Sequence, residues 1–268
     1  MELKIIGRVR SPFGTKFGVP RQSGLVPELR SELVLEPEFR DPEALRGIEG
    51  FSHLWLIWQF SENAERGWSP TVRPPRLGGN TRMGVFATRS PFRPNPIGLS
   101  CVRLEGVRWD DPRGPVLLLG GADLVDGTPV YDIKPYVGYA DCIPDAKGGF
   151  TGGEAPESLP VSCPPELQAK FTAEEWEALR GVLSCDPRPA YQKDGARVYG
   201  LSYAGRDVRF RVTDGTVYVV SADAMGGINH VPEKFSIGNC PAAGGTAADP
   251  AGEEGRSAAF CVEPVGTP

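Results

Sequence analysis

The sequence predicts a mainly β protein, with an N-terminal β-barrel, a small α+β domain after it, and a disordered tail. The first observation is that the first half of the chain consists of short apolar runs of strand length, rich in β-branched and aromatic residues and separated by glycine and proline. The second is that helical periodicity is scarce there, with PEALRGI as one short candidate turn. Many short strands between Gly and Pro residues are typical of a β-sandwich or barrel.

Six segments of the first half are predicted strands: ELKIIGRV, SELVLE, FSHLWLIWQF, TRMGVFATR, LSCVRLEGVRW and VLLLGGADLV. Together with the polar strand that follows them, they define a predicted barrel domain at residues 1–145. Residues 146–165 are rich in Gly, Pro and Ser and have no apolar run, so we predict a linker there.

The second domain is predicted at residues 166–222. Thr172 and Glu175 have capping-box spacing at the start of FTAEEWEALRGVL, which predicts a helix. Three alternating runs joined by Gly-containing turns then predict a β-meander. From residue 223 onward, eight glycines and five prolines in 46 residues, with few large apolar groups, predict a disordered tail.

Bulk composition excludes several classes of protein. The net charge of −5 gives no general attraction to nucleic acid. No apolar run approaches the length of a membrane span, and no signal-peptide core is present. The six cysteines occur singly without zinc-site spacing, so we expect no metal and reduced thiols in a cytoplasmic protein. Of the two histidines, His53 lies in an apolar run and is predicted to be a buried core residue.

Positive charge is concentrated in one segment. Eight arginines, no lysine and a single acid, Glu105, lie between Arg66 and Arg108. Arginine binds phosphate and carboxylate groups through two parallel hydrogen bonds, and the neighbouring prolines stiffen the loop that carries it. The segment therefore suits an anionic ligand or an RNA backbone, although a solvated basic rim has the same composition.

A second polar segment is DLVDGTPVYDIKPYVGYAD at residues 123–141. Asp132, Lys134 and Tyr136 alternate, so their side chains share one face if the segment is extended. Such a group suits binding or proton transfer, and it equally suits an edge strand with solvated polar residues. Nucleotide-binding α/β folds are excluded, because VLLLGGADLVDG lacks a third glycine and a following helix.

Several long motifs together resemble the TrmO family, the family of the TsaA-like domain. They are KFGVPRQSG, GFSHLWLIWQF, WSPTVRPPRLGGNTRMGVFATRSPFRPNPIGLS, DLVDGTPVYDIKPYVGYAD and DPRPAY. The resemblance covers about residues 1–215. It implies a β-barrel enzyme that uses S-adenosyl-L-methionine to methylate N6 of N6-threonylcarbamoyladenosine at position 37 of tRNA. It also implies a homodimer with the cofactor bound near the subunit contact.

The resemblance assigns site residues in this sequence. Its cofactor contacts correspond to Pro20, Arg21, Gln22, Glu62, Asn63, Arg89, Leu99, Asp126, Gly127, Thr128 and Pro129. We predict that Asp132 and Tyr136 act on the proton of N6, with Lys134 tuning the local charge. Predicted tRNA contacts are Arg73, Arg76, Arg82, Arg93, Arg188, Arg206, Arg209 and Arg211, and predicted base-stacking residues are Trp68, Phe92 and Tyr136.

Two other functions remain open at this stage. A non-enzymatic RNA-binding barrel would account for the arginine cluster alone. A methyltransferase acting on a small molecule or a protein would account for the barrel and the cofactor. The predicted basic C-terminal domain favours tRNA over a small substrate.

Overall fold

The computed structural model describes residues 2–152, 157–189 and 194–225. Its strands, in chain order, are β1 (Gly7–Arg10), β2 (Arg30–Leu35), β3 (His53–Gln59), β4 (Thr71–Val72), β5 (Met83–Gly84), β6 (Ile97–Arg108), β7 (Val116–Gly120), β8 (Pro129–Pro135), β9 (Val161–Ser162), β10 (Tyr199–Tyr203), β11 (Arg206–Thr213) and β12 (Thr216–Ala224). The α-helices are α1 (Gly138–Asp141), α2 (Pro165–Gln168) and α3 (Ala173–Ser184). Short 3₁₀ helices occupy Pro37–Phe39, Pro42–Leu45, Ile48–Gly50, Ser61–Arg66, Pro75–Leu77, Val85–Ala87 and Gly149–Thr151.

The predicted barrel is confirmed: six strands close in the order β1-β2-β7-β6-β3-β8. Alternation along each strand sends one set of side chains inward and the other outward. Leu56 of β3 lies between Ser100 of β6 and Ile133 of β8, and this row faces the barrel interior. The next residue, Ile57, lies between Leu99 and Asp132 in a row that faces outward. The buried aliphatic and aromatic residues of the inward set form one continuous core.

The second domain is a four-stranded sheet in the order β10-β11-β12-β9, with α3 packed on one face. The predicted capping box is confirmed, because the Thr172 side chain accepts from the Glu175 N–H and the Glu175 carboxylate accepts from the Thr172 N–H. Trp176, Leu179 and Leu183 of α3 are buried, as the sequence predicts for one helical face. The amphipathic pattern therefore places α3 against the meander.

The loop between β1 and β2 belongs to both domains. Phe13, Val26 and Leu29 of this loop are fully buried in the core of the second domain, among residues of α3, β10 and β11. The Phe13 ring packs edge-on against Tyr203 at a centroid distance of 5.5 Å. The loop leaves the barrel, enters the other core and returns, so the second domain fixes its position.

Some sequence expectations differ from the structure. TRMGVFATR forms only the two-residue strand β5, which pairs with β4, since its other residues form a 3₁₀ turn and an extended loop. The predicted linker contains β9, which pairs in parallel with β12, and β12 continues to Ala224. The predicted disordered tail otherwise lies outside the described residues.

The prediction that His53 is a buried core residue is wrong. His53 is half-buried, because it falls in the outward-facing set of β3. Its Nδ1 atom lies 2.9 Å from the Ser52 hydroxyl, and its ring packs on that of Tyr136 at a centroid distance of 6.2 Å. Within the described ranges, no helix has the length and apolarity needed to cross a membrane.

Candidate functional site

A cavity of about 500 Å³ opens at one end of the barrel. It lies where β3 ends and β6 begins, and the loop between β1 and β2 covers one side of it. Its lining includes Lys16, Val19, Pro20, Arg21, Gln22, Trp58, Phe60, Glu62, Asn63, Arg89, Arg93, Leu99, Asp123, Leu124 and Thr128. The volume is in the range of small-molecule sites, and the mixture of apolar walls with a few charged groups is typical of them. Eight of the eleven predicted cofactor residues are in this lining, so the fold brings them together.

The loop wall of the cavity is tied to the arginine-rich segment. The Nη1 atom of Arg89 donates a hydrogen bond to the side-chain carbonyl of Gln22. Arg21 donates from Nη2 to the backbone carbonyl of Arg188, 3.2 Å away in the second domain. Lys16 of the same loop lies 4.0 Å from the carboxylate of Glu62, which follows β3, and both side chains are exposed. The wall is therefore positioned by contacts from two other parts of the chain.

Two residues that line the cavity, Trp58 and Asp123, are joined by hydrogen bonds through the buried Ser100. The indole N–H of Trp58 donates to the Ser100 hydroxyl at 3.0 Å, and that hydroxyl donates to Oδ1 of Asp123 at 2.6 Å. Gly98 leaves room for this arrangement, because a Cβ there would lie 2.3 Å from the Trp58 ring. Burial raises the pKa of the Asp123 carboxyl, while the Ser100 hydroxyl and the nearby Arg89 oppose that shift.

Asp126, Gly127 and Pro129 of the predicted cofactor set form the turn behind the cavity and are not among the residues that line it. Oδ1 of Asp126 accepts the Ser11 N–H at 3.1 Å, and its other oxygen lies 3.5 Å from Arg10. Gly127 adopts a φ of +77°, which a glycine tolerates without strain. The turn thus fixes the neighbouring Thr128, which reaches the cavity.

Asp132, Lys134 and Tyr136 lie together outside the barrel, as their alternation predicts, and they do not line the cavity of this chain. Nζ of Lys134 lies 3.0 Å from the Asp132 carboxylate, and both side chains are well exposed. The Tyr136 ring packs on Trp55. Loss of solvation raises the pKa of the Tyr136 hydroxyl, and the nearby Cys142, Cys101 and Asp141 raise it further.

This outer group is near the mouth of the cavity. Asp132 and Leu99 are both register partners of Ile57, on opposite sides of it. Two strand spacings therefore separate them, about 10 Å. Leu99 is 50% exposed and lines the cavity, so the outer group and the cavity share one face of the barrel.

In the arginine-rich segment, some arginines form hydrogen bonds within the segment itself, and others are exposed on its surface. Arg93 holds its own loop, donating to the backbone carbonyls of Thr88 at 2.7 Å and Val85 at 3.3 Å. Arg82 donates to the Thr71 hydroxyl. Arg73 and Arg76 lie on exposed turns. Of the predicted stacking residues, Trp68 is 57% exposed and Phe92 is half-buried.

The position of Arg188 does not support its predicted contact with RNA. Its guanidinium makes two hydrogen bonds of 2.8 Å to the two oxygens of Asp186, and its side chain is only 15% exposed. Three other predicted contacts remain at the surface of the second domain. Arg209 pairs with Asp207, and the guanidinium groups of Arg206 and Arg211 lie over the rings of Phe171 and Tyr218.

The sequence did not predict the hydrogen-bonded group of Trp58, Ser100 and Asp123. Trp58 and Ser100 stand in apolar strands where each looks like an ordinary core residue, and Asp123 follows the buried strand β7. The available signal was an acid placed in the apolar run VLLLGGADLV, where a lone carboxylate is costly to bury. Ser100 of β6 and Trp58 of β3, which bonds to Ser100, are both distant from Asp123 in the sequence, so the sequence alone does not show that the three side chains form one group.

Comparison with known proteins agrees with this architecture. Residues 8–142 match the tRNA-methyltransferase O N-terminal domain, and residues 156–224 match the TrmO C-terminal domain. The chain belongs to the TrmO family. In Escherichia coli (strain K12), the relative named tRNA (adenine(37)-N6)-methyltransferase is 47% identical over 217 residues, covering 78% of this chain and 92% of the relative.

Two further relatives extend the comparison of this TrmO-family chain. The protein of Pseudomonas aeruginosa named putative S-adenosylmethionine-dependent methyltransferase RcsF is 45% identical over 215 residues, covering 76% of this chain and 90% of the relative. A solved structure titled "Crystal structure of TrmO" superposes with a TM-score of 0.67 at 36% identity, covering 84% of this chain and 99% of the other. Both domains of this TrmO-family member therefore have counterparts in known proteins.

The lining of the cavity fits S-adenosyl-L-methionine, the cofactor of this methyltransferase family. Such a molecule has an adenosine part and a charged amino-acid part. Trp58, Phe60, Leu99 and Leu124 offer apolar surface for the first part. Arg89 and Asp123 offer opposite charges for the second part.

Proposed function

We propose that this chain is an S-adenosyl-L-methionine-dependent tRNA methyltransferase that methylates N6 of N6-threonylcarbamoyladenosine at position 37. The observation that carries the proposal is the cavity at the barrel end, which is lined by residues of the Pro20–Gln22 wall and by Arg89, Leu99 and Thr128. The relative from Escherichia coli has a name that specifies this methylation site on tRNA. A non-enzymatic RNA-binding barrel would not need a cavity of this kind. The two relatives described above have names that specify no small-molecule substrate.

When bound, S-adenosyl-L-methionine supplies an electrophilic methyl group. The residues of this chain must place the acceptor nitrogen in line with that group, at about 3 Å, and must accept its proton. In the product, N6 has gained a methyl carbon and lost its hydrogen. The carbonyl attached to N6 makes that proton more acidic, so a modest base is sufficient.

Asp132 is our choice for that base, with Tyr136 beside it. The Asp132 carboxylate is exposed on the outer face of the barrel and lies 3.0 Å from Nζ of Lys134. A purine base placed over the outward-facing Ile57 would have Leu99 on one side and Asp132 on the other, about 10 Å apart. In a homodimer, this outer face of one protomer would stand against its partner. We propose such a dimer, with the cofactor near the subunit contact, in the cytoplasm.

The tRNA would approach along the arginine-rich segment. Arg73 and Arg76 are exposed in the same segment as Arg89, which lines the cavity, and we propose that they bind phosphate. Trp68 is exposed in the same segment and offers a ring for an unpaired base. We propose no metal in this reaction.

The test is methyl transfer from labelled S-adenosyl-L-methionine into two matched anticodon stem-loops. One has N6-threonylcarbamoyladenosine at position 37, and the other has unmodified adenosine there. We expect transfer only into the first. Transfer into neither, with the cofactor still bound, would contradict the proposed substrate and favour a small molecule or a protein instead.

A further inference from the structure

We propose that Asp123 binds the α-ammonium group of the methyl donor, while Arg89 binds the α-carboxylate of the same amino-acid part. The inference rests on the proposed function and names a residue that the sequence motifs did not assign. Two acids, Asp123 and Glu62, line the cavity. Glu62 is at the rim, 40% exposed and 4.0 Å from Lys16, so its charge is already matched and solvated.

Asp123 is held in one orientation. Oδ1 accepts the Ser100 hydroxyl at 2.6 Å, and Ser100 is in turn fixed by the Trp58 N–H. The backbone N–H groups of Ser23 and of Asp123 itself also favour the charged carboxylate. A carboxylate has about four acceptor positions, so these three donors leave capacity for one cationic group.

Charge balance makes an ammonium the fitting ligand for that position. Burial raises the pKa of Asp123, which means that the carboxylate is costly in this site without a cation. Arg89 lines the same cavity and interacts electrostatically with Asp123, but its guanidinium is directed to Gln22. The amino-acid part of the donor has an ammonium group and a carboxylate group attached to the same carbon. A carboxylate and a guanidinium that lie close together can therefore bind the two groups at once.

Asp126 is a poorer candidate for the same role. It lies behind the cavity, where it accepts the Ser11 N–H and is 3.5 Å from Arg10. Its carboxylate is thus used to hold the turn after β1. Asp123, three residues earlier, is the acid that the fold turns toward the cavity.

The test compares three ligands by calorimetric titration of the full chain and of Asp123→Asn. S-adenosyl-L-methionine and S-adenosyl-L-homocysteine both have the α-ammonium, and only the first has the sulfonium charge. 5′-Methylthioadenosine has neither charge. The Asn side chain keeps the shape and an acceptor for Ser100, and a thermal unfolding curve checks that the variant is folded. Asp145→Asn, an exposed acid outside the site, is the control.

We expect Asp123→Asn to weaken binding of S-adenosyl-L-methionine and S-adenosyl-L-homocysteine by about tenfold or more, and equally, with 5′-methylthioadenosine unchanged. A loss confined to S-adenosyl-L-methionine would overturn the inference, because Asp123 would then face the sulfonium. An equal loss for all three ligands would overturn it too, since that result indicates a structural role in shaping the cavity. If the unsubstituted chain binds none of the three, the donor site itself is refuted, and the inference with it.

Discussion

Nη2 of Arg21 donates a hydrogen bond to the backbone carbonyl oxygen of Arg188 at 3.2 Å, so a residue of the cavity wall is held by the second domain. Arg188 is in turn locked to Asp186 by two hydrogen bonds of 2.8 Å. Asp186 has a φ of +47°, an uncommon conformation for a non-glycine residue. The turn is therefore held in a specific shape, which directs the Arg188 carbonyl toward the wall.

Replacing Arg188 with Lys should weaken binding of the methyl donor and leave tRNA affinity unchanged. Lysine keeps the charge but cannot form the two parallel bonds to Asp186, so the support of Arg21 is lost. One such hydrogen bond contributes about 1 kcal/mol, which corresponds to about a fivefold rise in Kd. Titration with S-adenosyl-L-homocysteine and filter binding of tRNA measure the two affinities.

The control for this prediction is Arg180→Lys, an exposed arginine of α3 that pairs with Glu177 on the same domain. It should alter neither affinity. If Arg188→Lys instead reduced tRNA affinity and spared the donor, the contact with RNA predicted from the sequence would be right. Combining the Arg188 and Arg21 substitutions adds a second check, because residues that act through one another have non-additive effects.

Replacing Asp132 with Asn should slow methyl transfer by about a hundredfold while leaving donor affinity unchanged. Asparagine has the same shape but cannot accept the proton of N6. The measurement is a single-turnover rate with the modified stem-loop, together with a donor Kd for the same variant. Asp145→Asn serves again as a matched exposed control. An unaltered rate would remove Asp132 from the reaction and leave the exposed pair with Lys134 as a surface feature.

The sequence predicts those elements whose signals are local. The apolar run HLWLIWQ has strand length and strand-forming residues and indicates β3, and the spacing of Thr172 and Glu175 indicates the start of α3. Each signal comes from one element's own geometry and a buried face. Strand β9 is missed because two residues paired in parallel leave no pattern of their own.

The site is predicted less completely than the fold, for a related reason. Arg89, Leu99 and Thr128 could be placed from the family motifs, and all three line the cavity. Asp123 could not, because its importance comes from its hydrogen bond with Ser100, which lies on β6 and is distant in the sequence. Hydrogen bonds between strands far apart in sequence depend on register, which periodicity alone does not fix.

Replacing Arg73 and Arg76 together with Ala should reduce tRNA affinity and flatten its dependence on salt. Each phosphate contact releases counterions, so its loss lowers the slope of log affinity against log salt by about one. Filter binding between about 50 and 200 mM salt measures this slope. Arg46→Ala is the control, since Arg46 is an equally exposed arginine paired with Glu43 in a turn outside this segment. An unchanged slope would place the tRNA elsewhere on the protein.

Asp111 should make the stability of the barrel dependent on pH in the acid range. Its carboxylate accepts hydrogen bonds from Arg113 at 2.8 Å and from Arg108 at 3.1 Å, and the same arginines reach Glu32 of β2. These contacts lower the pKa of Asp111 below its ordinary value. A lowered pKa in the folded state contributes stability that is present above the ordinary value, about 3.9, and is lost as the pH falls below it.

Asp111→Asn should therefore lower the free energy of unfolding by about 1–2 kcal/mol at pH 7, where the partly exposed arginines limit the effect. The difference from the unsubstituted chain should shrink progressively as the pH falls below about 4, because the unfolded chain then binds a proton at Asp111 while the folded chain keeps this carboxylate ionised. Urea unfolding of both proteins at pH 7 and at about pH 3 measures this difference in the free energy of unfolding. The neighbouring Asp110 is exposed, so Asp110→Asn should have little effect at either pH. A difference that stays constant with pH would mean that Asp111 stabilises the turn through shape and not through charge.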